Sequence, residues 1–255
     1  MKISATIITF NEERNIAAAL DSVSWADEIV VVDSNSVDRT REIAEDKGAR
    51  VVVNDWSGFS DQKQFAVDQA KYDWILSIDA DERVTDRLRT EILTIRRSGA
   101  KARGYRMPRL SYYMGQPVKH GGWYPDRQLR LFDRQAGKWN GAVIHESVEM
   151  AAGTIVNDLV GDLIHYSVES ASHHHKMIGD RYAPLGAQQM YAQGRRTSGF
   201  GIATIGIFAF LRSYILKGGF LDGLPGFAIA RFAAHHAFLK HLLLWELQQK
   251  DRSSQ

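Results

Sequence analysis

The chain has 255 residues, enough to bury one sizeable core or one core with a smaller appendage. Its 32 basic and 30 acidic residues nearly balance, which argues against a nucleic-acid binder. It has no cysteine, which removes disulfides, thiolate nucleophiles and cysteine metal sites and fits a reducing compartment.

Met1-Lys2 leads straight into an apolar run, so no secretory leader is expected. That run, Ile3 to Thr9, predicts a first strand, and the spacing of Ile16, Leu20 and Val23 predicts a helix over Glu12 to Val23. Strands are expected next at Glu28 to Asp33, Arg50 to Val53 and Trp74 to Asp79. Helices are expected at Asp38 to Lys47, with Gly48 as its stop, and at Ser60 to Ala70. Asp86 precedes the helical spacing of Leu88, Ile92 and Ile95 and is expected to cap it. Strands alternating with helices imply an α/β fold, a Rossmann-like and mostly parallel sheet with helices on both faces.

From about residue 100 to 168 the pattern changes. Shorter strands are expected around Tyr105 to Pro108, Gln128 to Phe132 and Thr154 to Val156. Beyond Ser170 the chain reads as a C-terminal helical extension, which suggests a catalytic domain over 1–168 and a helical region over 169–255. The apolar stretch Phe200 to Leu211 is interrupted by Arg212 and is short for a membrane span. Arg212, Lys217, Arg231 and Lys240 punctuate the tail. Short apolar helices with basic residues can lie on an anionic membrane or pack internally, and both readings stay open.

The strongest chemical signal is Asp79-Ala80-Asp81-Glu82 at the end of an apolar strand. Residues i and i+2 of an extended chain point to the same side, so Asp79 and Asp81 project together. Paired carboxylates suit Mg2+ or Mn2+, ions that commonly share their shell with substrate phosphates. Ligands of such sheets bind at the carboxyl ends of strands. There Thr9, Asn11 and Glu12, then Asp33, then Asp79 and Asp81 would converge. Each also has a plainer reading as a helix cap or turn residue.

With these residues in view, the chain resembles family 2 glycosyltransferases with a GT-A fold, and more narrowly the bacterial lipopolysaccharide core β-1,4-glucosyltransferases. The resemblance rests on Ile7-Ile8-Thr9-Phe10-Asn11-Glu12-Glu13, Val31 to Thr40 and Trp74 to Glu82, continued by Trp123 to Arg134, His145-Glu146 and Leu211 to Gly223. Asn35 stands where relatives commonly carry Gly, and Asn tolerates a tight turn there. The resemblance implies inverting transfer of a hexose from a UDP-sugar donor to a glycolipid or oligosaccharide acceptor, and a lipid-linked acceptor together with the basic, apolar tail leads us to expect peripheral attachment at the cytoplasmic face of a bacterial inner membrane. Rival readings are a polyprenyl-phosphate sugar synthase and a non-catalytic sugar- or lipid-binding protein.

It also implies roles. Thr9, Asn11 and Glu12 would line the nucleoside pocket, and Asp33 would accept hydrogen bonds from uracil or ribose. Lys63 would approach the donor diphosphate, although a lone lysine on a helix is more often solvated. Asp81 would ligate the metal, with Asp79 on ribose, metal or bound water, Glu82 ligating or orienting, and His165 as a further ligand. Glu146 would be the base that inversion requires, with Asp126 its rival. Arg127 and Arg130 would hold an anion or form a solvated strand face. His173-His174-His175 reads as a helix surface.

Overall fold

The computed structural model describes residues 1–142 and 146–253, so His145 lies outside the described residues. The chain divides into two compact units: Met1–Leu110 with Asp126–His165, and Ser111–Pro125 with Tyr166–Gln255.

In the first unit, β1 (Ile3–Thr9), α1 (Ile16–Val23), β2 (Glu28–Asp33), α2 (Thr40–Asp46), β3 (Arg50–Val53), α3 (Phe59–Gln69) and β4 (Trp74–Asp79) follow in order. β2 and β4 flank β1, β3 pairs with β2, and all three pairings are parallel. Every residue of β1 is buried, Ser4, Thr6 and Thr9 included, as befits an inner strand covered on both faces. Alternation sends its side chains to two faces. Ile3, Ala5 and Ile7 join α1 and Ala44 of α2, while Ile8 joins Val30, Val32 and Ala66 of α3. Helices thus cover both faces.

The register pairs Thr9 with Asp33 and Ile8 with Asp79, so three strand ends finish level with one another. α1 begins at Ile16, later than its spacing predicts, because residues 11–15 turn instead. Asn11 and Asn35 both take left-handed backbone, at φ 55° and 63°. The loops after β1 and β2 are laced together: Asn11 N donates to Ser36 Oγ at 2.8 Å and Val37 N to Asn11 Oδ1 at 2.9 Å.

After β4 come β5 (Glu82–Val84), α4 (Asp86–Ser98), β6 (Gly104–Tyr113), β7 (Gln116–Pro117), β8 (Asp126–Asp133), β9 (Gly137–Trp139), β10 (Val148–Met150), β11 (Val156–Asp158) and β12 (Leu163–Val168). Thr85, not Asp86, caps α4: its Oγ1 accepts from Leu88 N, and Asp86 is the first helical residue. The main sheet runs β3-β2-β1-β4-β8-β6-β12-β5, turning antiparallel at β8, and β9 and β10 form a separate hairpin.

The second unit holds α5 (Ala171–Lys176), a π-helical turn (177–182), α6 (Ala183–Ala192), α7 (Gly199–Leu211), a second π-helical turn (212–216), a 3₁₀ turn (219–222) and α8 (Gly223–Ser253). Helix therefore continues through Arg212, and Gly199–Leu216 is long and apolar enough to cross a membrane by length and composition. The histidine tract does lie on a helix, but His174 does not face solvent. It is buried against Phe232, ring centroids 4.1 Å apart, with its Nδ1 3.2 Å from the Tyr113 hydroxyl. Burial, with His173 and His236 nearby, pushes its imidazole down to about 4. α7 lies close along α8: a Cβ on Gly206 would meet the Ala234 carbonyl oxygen at 3.2 Å, and Thr197 Oγ1 sits 3.0 Å from His241 Nδ1. Buried Asp222 accepts from the backbone N–H groups of Lys119 and His120 and pairs with His120 Nδ1 at 2.8 Å.

Candidate active site

β4 ends at Asp79, the chain turns through Ala80-Asp81, and Glu82 opens β5. Glu82 reaches back, its Oε2 accepting from Asp79 N at 2.9 Å. The turn hands its carboxylates to cations from distant segments. Lys63 of α3 donates to Asp79 Oδ2 at 3.1 Å and lies 3.0 Å from Oδ1, in a direction that makes no hydrogen bond to the latter. Arg130 of β8 donates from Nη2 to Asp79 at 3.1 Å and to Glu82 at 3.2 Å. Arg109 of β6 donates to Glu82 at 3.3 Å and, through Nε and Nη2, to Asp126 at 2.9 and 2.6 Å. Lys63 also lies 3.6 Å from Glu146.

The result is one ladder of alternating charge: Glu146, Lys63, Asp79, Arg130, Glu82, Arg109, Asp126. Its middle is dry. The side chains of Lys63, Arg130 and Glu82 are 2, 3 and 0 % exposed. Trp139 of β9 lies against two of the cations, 4.9 Å from Lys63 Nζ and 5.6 Å from Arg130 Cζ. Burial alone would raise the Asp79 carboxyl, but Lys63 and Arg130 reverse this and hold it well below the ordinary carboxylate range. Burial likewise disfavours the Arg109 and Arg130 guanidinium ions, and Glu82, with Asp126 or Asp79, more than restores them.

Two features mark the ladder as more than a structural ion pair. Arg130 Nε and Nη1 are buried without a protein acceptor, and such donors cost about 1–3 kcal/mol each unless something accepts from them. With Asp81, moreover, five carboxylates face three permanent cations, a deficit of two positive charges. Asp81 itself pairs with His165 of β12, whose Nε2 is 3.2 Å from Oδ2. No group of three or more candidate metal donors converges among the described residues. Asp81 and His165 nonetheless fit a divalent ion that takes its other ligands from substrate phosphates and water, since carboxylate and imidazole both suit Mn2+ and carboxylate suits Mg2+. Asp79, tied to two cations, is the less available ligand.

The other expected residues lie at the neighbouring strand ends. Thr9 is buried with its Oγ1 unpartnered. Glu12 accepts from Asn15 Nδ2 at 2.8 Å, and no side chain caps α1. Asp33 is wholly buried and holds the turn after β2, accepting from Ser36 N at 2.8 Å and from Ser36 Oγ, with Arg41 Nε 3.7 Å away. Glu146 sits on the β9–β10 loop, whose ends Asn140 clamps: Oδ1 accepts from Ala142 N and Ser147 N. Asp126 has both oxygens taken, one by Arg109 and the other by Gln128 Nε2 at 2.7 Å. Arg127 leaves the ladder, donating to Leu159 O and lying 3.6 Å from Asp158. Sequence reasoning missed Arg109 and Trp139, for which no motif or spacing gives a signal.

The model of the family described as Glycosyl transferase family 2 matches residues 4–137. An uncharacterised glycosyltransferase of Rickettsia typhi is 32% identical over 99% of this chain and 89% of its own length. The lipopolysaccharide core biosynthesis glycosyltransferase LpsC of Rhizobium meliloti is 31% identical over 94% and 90%. Among solved structures, Staphylococcus aureus TarS 1–349 in complex with UDP-GlcNAc aligns over 98% of this chain and 92% of its own, at 15% identity and a TM-score of 0.47. Glucosyl-3-phosphoglycerate synthase of Mycobacterium tuberculosis, in complex with Mn2+, UDP and glucosyl-3-phosphoglycerate, aligns over 78% and 82%, at 17% identity and a TM-score of 0.45. The family match spans the first three strand ends and the Asp-x-Asp turn, and full-length relatives carry it through the rest of the chain: the protein belongs to glycosyl transferase family 2 and has that family's GT-A α/β architecture.

Proposed function

We propose that this glycosyltransferase moves a hexose, with glucose the first choice, from a UDP-sugar to a hydroxyl of a glycolipid such as lipopolysaccharide core, inverting the anomeric carbon. The charge ladder carries the reading. A buried lysine and a buried arginine with unused donors stand beside an Asp-x-Asp turn, which is what an anionic diphosphate and a companion cation require. The acceptor class follows the printed role of the Rhizobium relative.

Asp81 and His165, with Asp79 behind them, are the residues that would hold Mg2+ or Mn2+, which when bound draws charge from the departing diphosphate. Thr9, Asn11, Glu12 and Asp33 border the nucleoside. Lys63 and Arg130 hold fixed positive charge against the diphosphate oxygens, and Trp139 keeps both cations out of water. Glu146 takes the acceptor proton as the new C1–O bond forms. The old C1–O bond breaks in the same step, and its electron pair leaves with UDP. Glu146 suits this better than Asp126 because its carboxylate has one cation at 3.6 Å, whereas Asp126 is gripped on both oxygens. Residues 1–168 form the catalytic domain. Residues 169–255 contact the inner face of the bacterial inner membrane peripherally.

A panel of nucleotide sugars with Mg2+ or Mn2+, scored for donor hydrolysis and for transfer to rough lipopolysaccharide, tests this. Glu146→Gln is expected to keep UDP-sugar binding, read by calorimetry, and to lose transfer by about 10²–10⁴-fold. Unchanged turnover in that variant removes Glu146 from the role.

A further inference from the structure

α7 shows water an unusual surface. Phe200, Ile207, Phe208, Leu211 and Ile215 recur at helical spacing and are all exposed, Phe200 by 80 %. The elbow that follows α7, formed by the second π turn, the 3₁₀ turn and the first turn of α8, continues the stripe with Leu216, Phe220, Leu221 and Leu224, of which Leu216 is 80 % exposed. Patches of this extent on soluble proteins mark interaction sites. The charges beside it have one sign. Between Arg195 and Leu221 there are four basic residues, Arg195, Arg196, Arg212 and Lys217, and no Asp or Glu. Asp222, the next acid, is buried and committed to His120 and two backbone N–H groups, so it does not offset them. Lys217 lies over the bare Gly122 backbone, where a Cβ would sit 2.4 Å from Nζ.

Length alone would let residues 199–216 cross a bilayer: 18 helical residues rise about 27 Å, close to the hydrocarbon thickness. Packing argues otherwise. α7 is fastened along α8 through Gly206 on Ala234 and Thr197 on His241. A crossing would drag Arg231 of α8, which lies opposite the span, into hydrocarbon at a cost of about 2.5–3.5 kcal/mol or more. Lying flat asks nothing of α8.

We propose that α7 and its elbow lie in the plane of an anionic bilayer surface, the apolar stripe among the acyl chains and Arg212 and Lys217 at the phosphates. This rests on the peripheral placement just proposed and names the surface and lipid charge that achieve it. Flotation of the full-length protein with phosphatidylcholine vesicles, with and without phosphatidylglycerol, tests it. Wild type is expected to float with anionic vesicles and to be released by high salt or carbonate. Leu211→Ser with Leu216→Ser and Phe220→Ser is expected to weaken binding about 100-fold or more. Arg212→Gln with Lys217→Gln is expected to weaken it about tenfold and flatten its salt dependence. These positions are exposed, so circular dichroism and donor hydrolysis in solution should stay at wild-type levels.

Flotation of both variants as well as wild type would overturn this surface while leaving peripheral attachment standing. Failure of wild type to float with either vesicle would overturn both. Resistance to carbonate would mean a crossing helix, and a dimer in light scattering that the serine variant abolishes would mean a second copy covers the stripe. Either result overturns the proposal.

Discussion

Beneath the end of β4, seven charged side chains are drawn together and partly dried, whereas along α7 aromatic and aliphatic side chains stand in water beside lone cations. Both arrangements are costly in isolation. Buried ions lose hydration, and exposed apolar surface keeps the ordering of water that folding would relieve. The first cost is offset within the unit, because each buried charge has an opposite neighbour at about hydrogen-bond distance, and the offset stops short by two positive charges. The second is not offset within the unit at all. In the functions proposed above, each region would be completed by what it lacks: positive charge at the Asp-x-Asp turn, and a lipid surface along the stripe.

The comparison breaks most severely at Asp81. Asp81→Ala removes the carboxylate that no permanent cation engages, and transfer measured by UDP release should fall by roughly 10³-fold or more. The fold should survive, because among the described residues the Asp81 carboxylate pairs with His165 and is itself partly exposed. Lys63→Met should lower stability as well as donor binding. It leaves the half-buried Asp79 carboxylate with Arg130 as its one hydrogen-bonded cation, so the denaturant midpoint should drop by an amount equivalent to about 1–3 kcal/mol.

The second unit offers a pH test. His174 is held neutral and lowered to about 4, while the unfolded chain protonates it near 6.5. Between those values the unfolded state binds more protons at this site, so the His174 contribution to stability falls as pH drops from about 6.5 to about 4 and levels below. The slope reaches at most about 1.4 kcal/mol per pH unit. His174→Phe, stacked on Phe232, should reduce the slope in thermal unfolding scans by this share, leaving the part that His236 and His241, also lowered by burial, contribute. The smallest effect is expected at Trp139. Trp139→Phe keeps a ring over Lys63 and Arg130 and should cost about 1 kcal/mol, with Trp139→Leu costing more and raising the KM for the donor.

Much of the first unit was legible from residue order. β1, β2, β3 and β4 fall where the β-rich runs place them; β1, β2 and β4 are buried over most of their length, as inner parallel strands are, and β3 at the sheet edge is only partly covered. The three polar strand ends converge as a parallel sheet requires. β5, three residues long and rich in charge, left no pattern to read. The ladder was invisible for a different reason. Arg109 meets Glu82 across 27 positions and Arg130 meets Asp79 across 51, pairings that only sheet register creates. Lys63 was expected near the donor diphosphate through the resemblance, but nothing in α3 itself announces that Trp139 and Asp79 enclose it. His174 looked exposed because a six-residue helix shows no reliable period and its burying ring, Phe232, is 58 residues on. The cap of α4 missed by one residue, between two side chains able to do the same task.

The level finish of β1, β2 and β4 has a consequence for how this chain tolerates change. β1 is the ruler against which both neighbours are measured, since it pairs with β2 and β4 residue by residue. Substituting one aliphatic residue for another within it alters volume and little else. Deleting a single residue turns every later side chain to the opposite face and withdraws Thr9 from Asp33 and Ile8 from Asp79. A deletion scan of Ile3–Thr9 should therefore be lethal to transfer at positions where a substitution scan is forgiving.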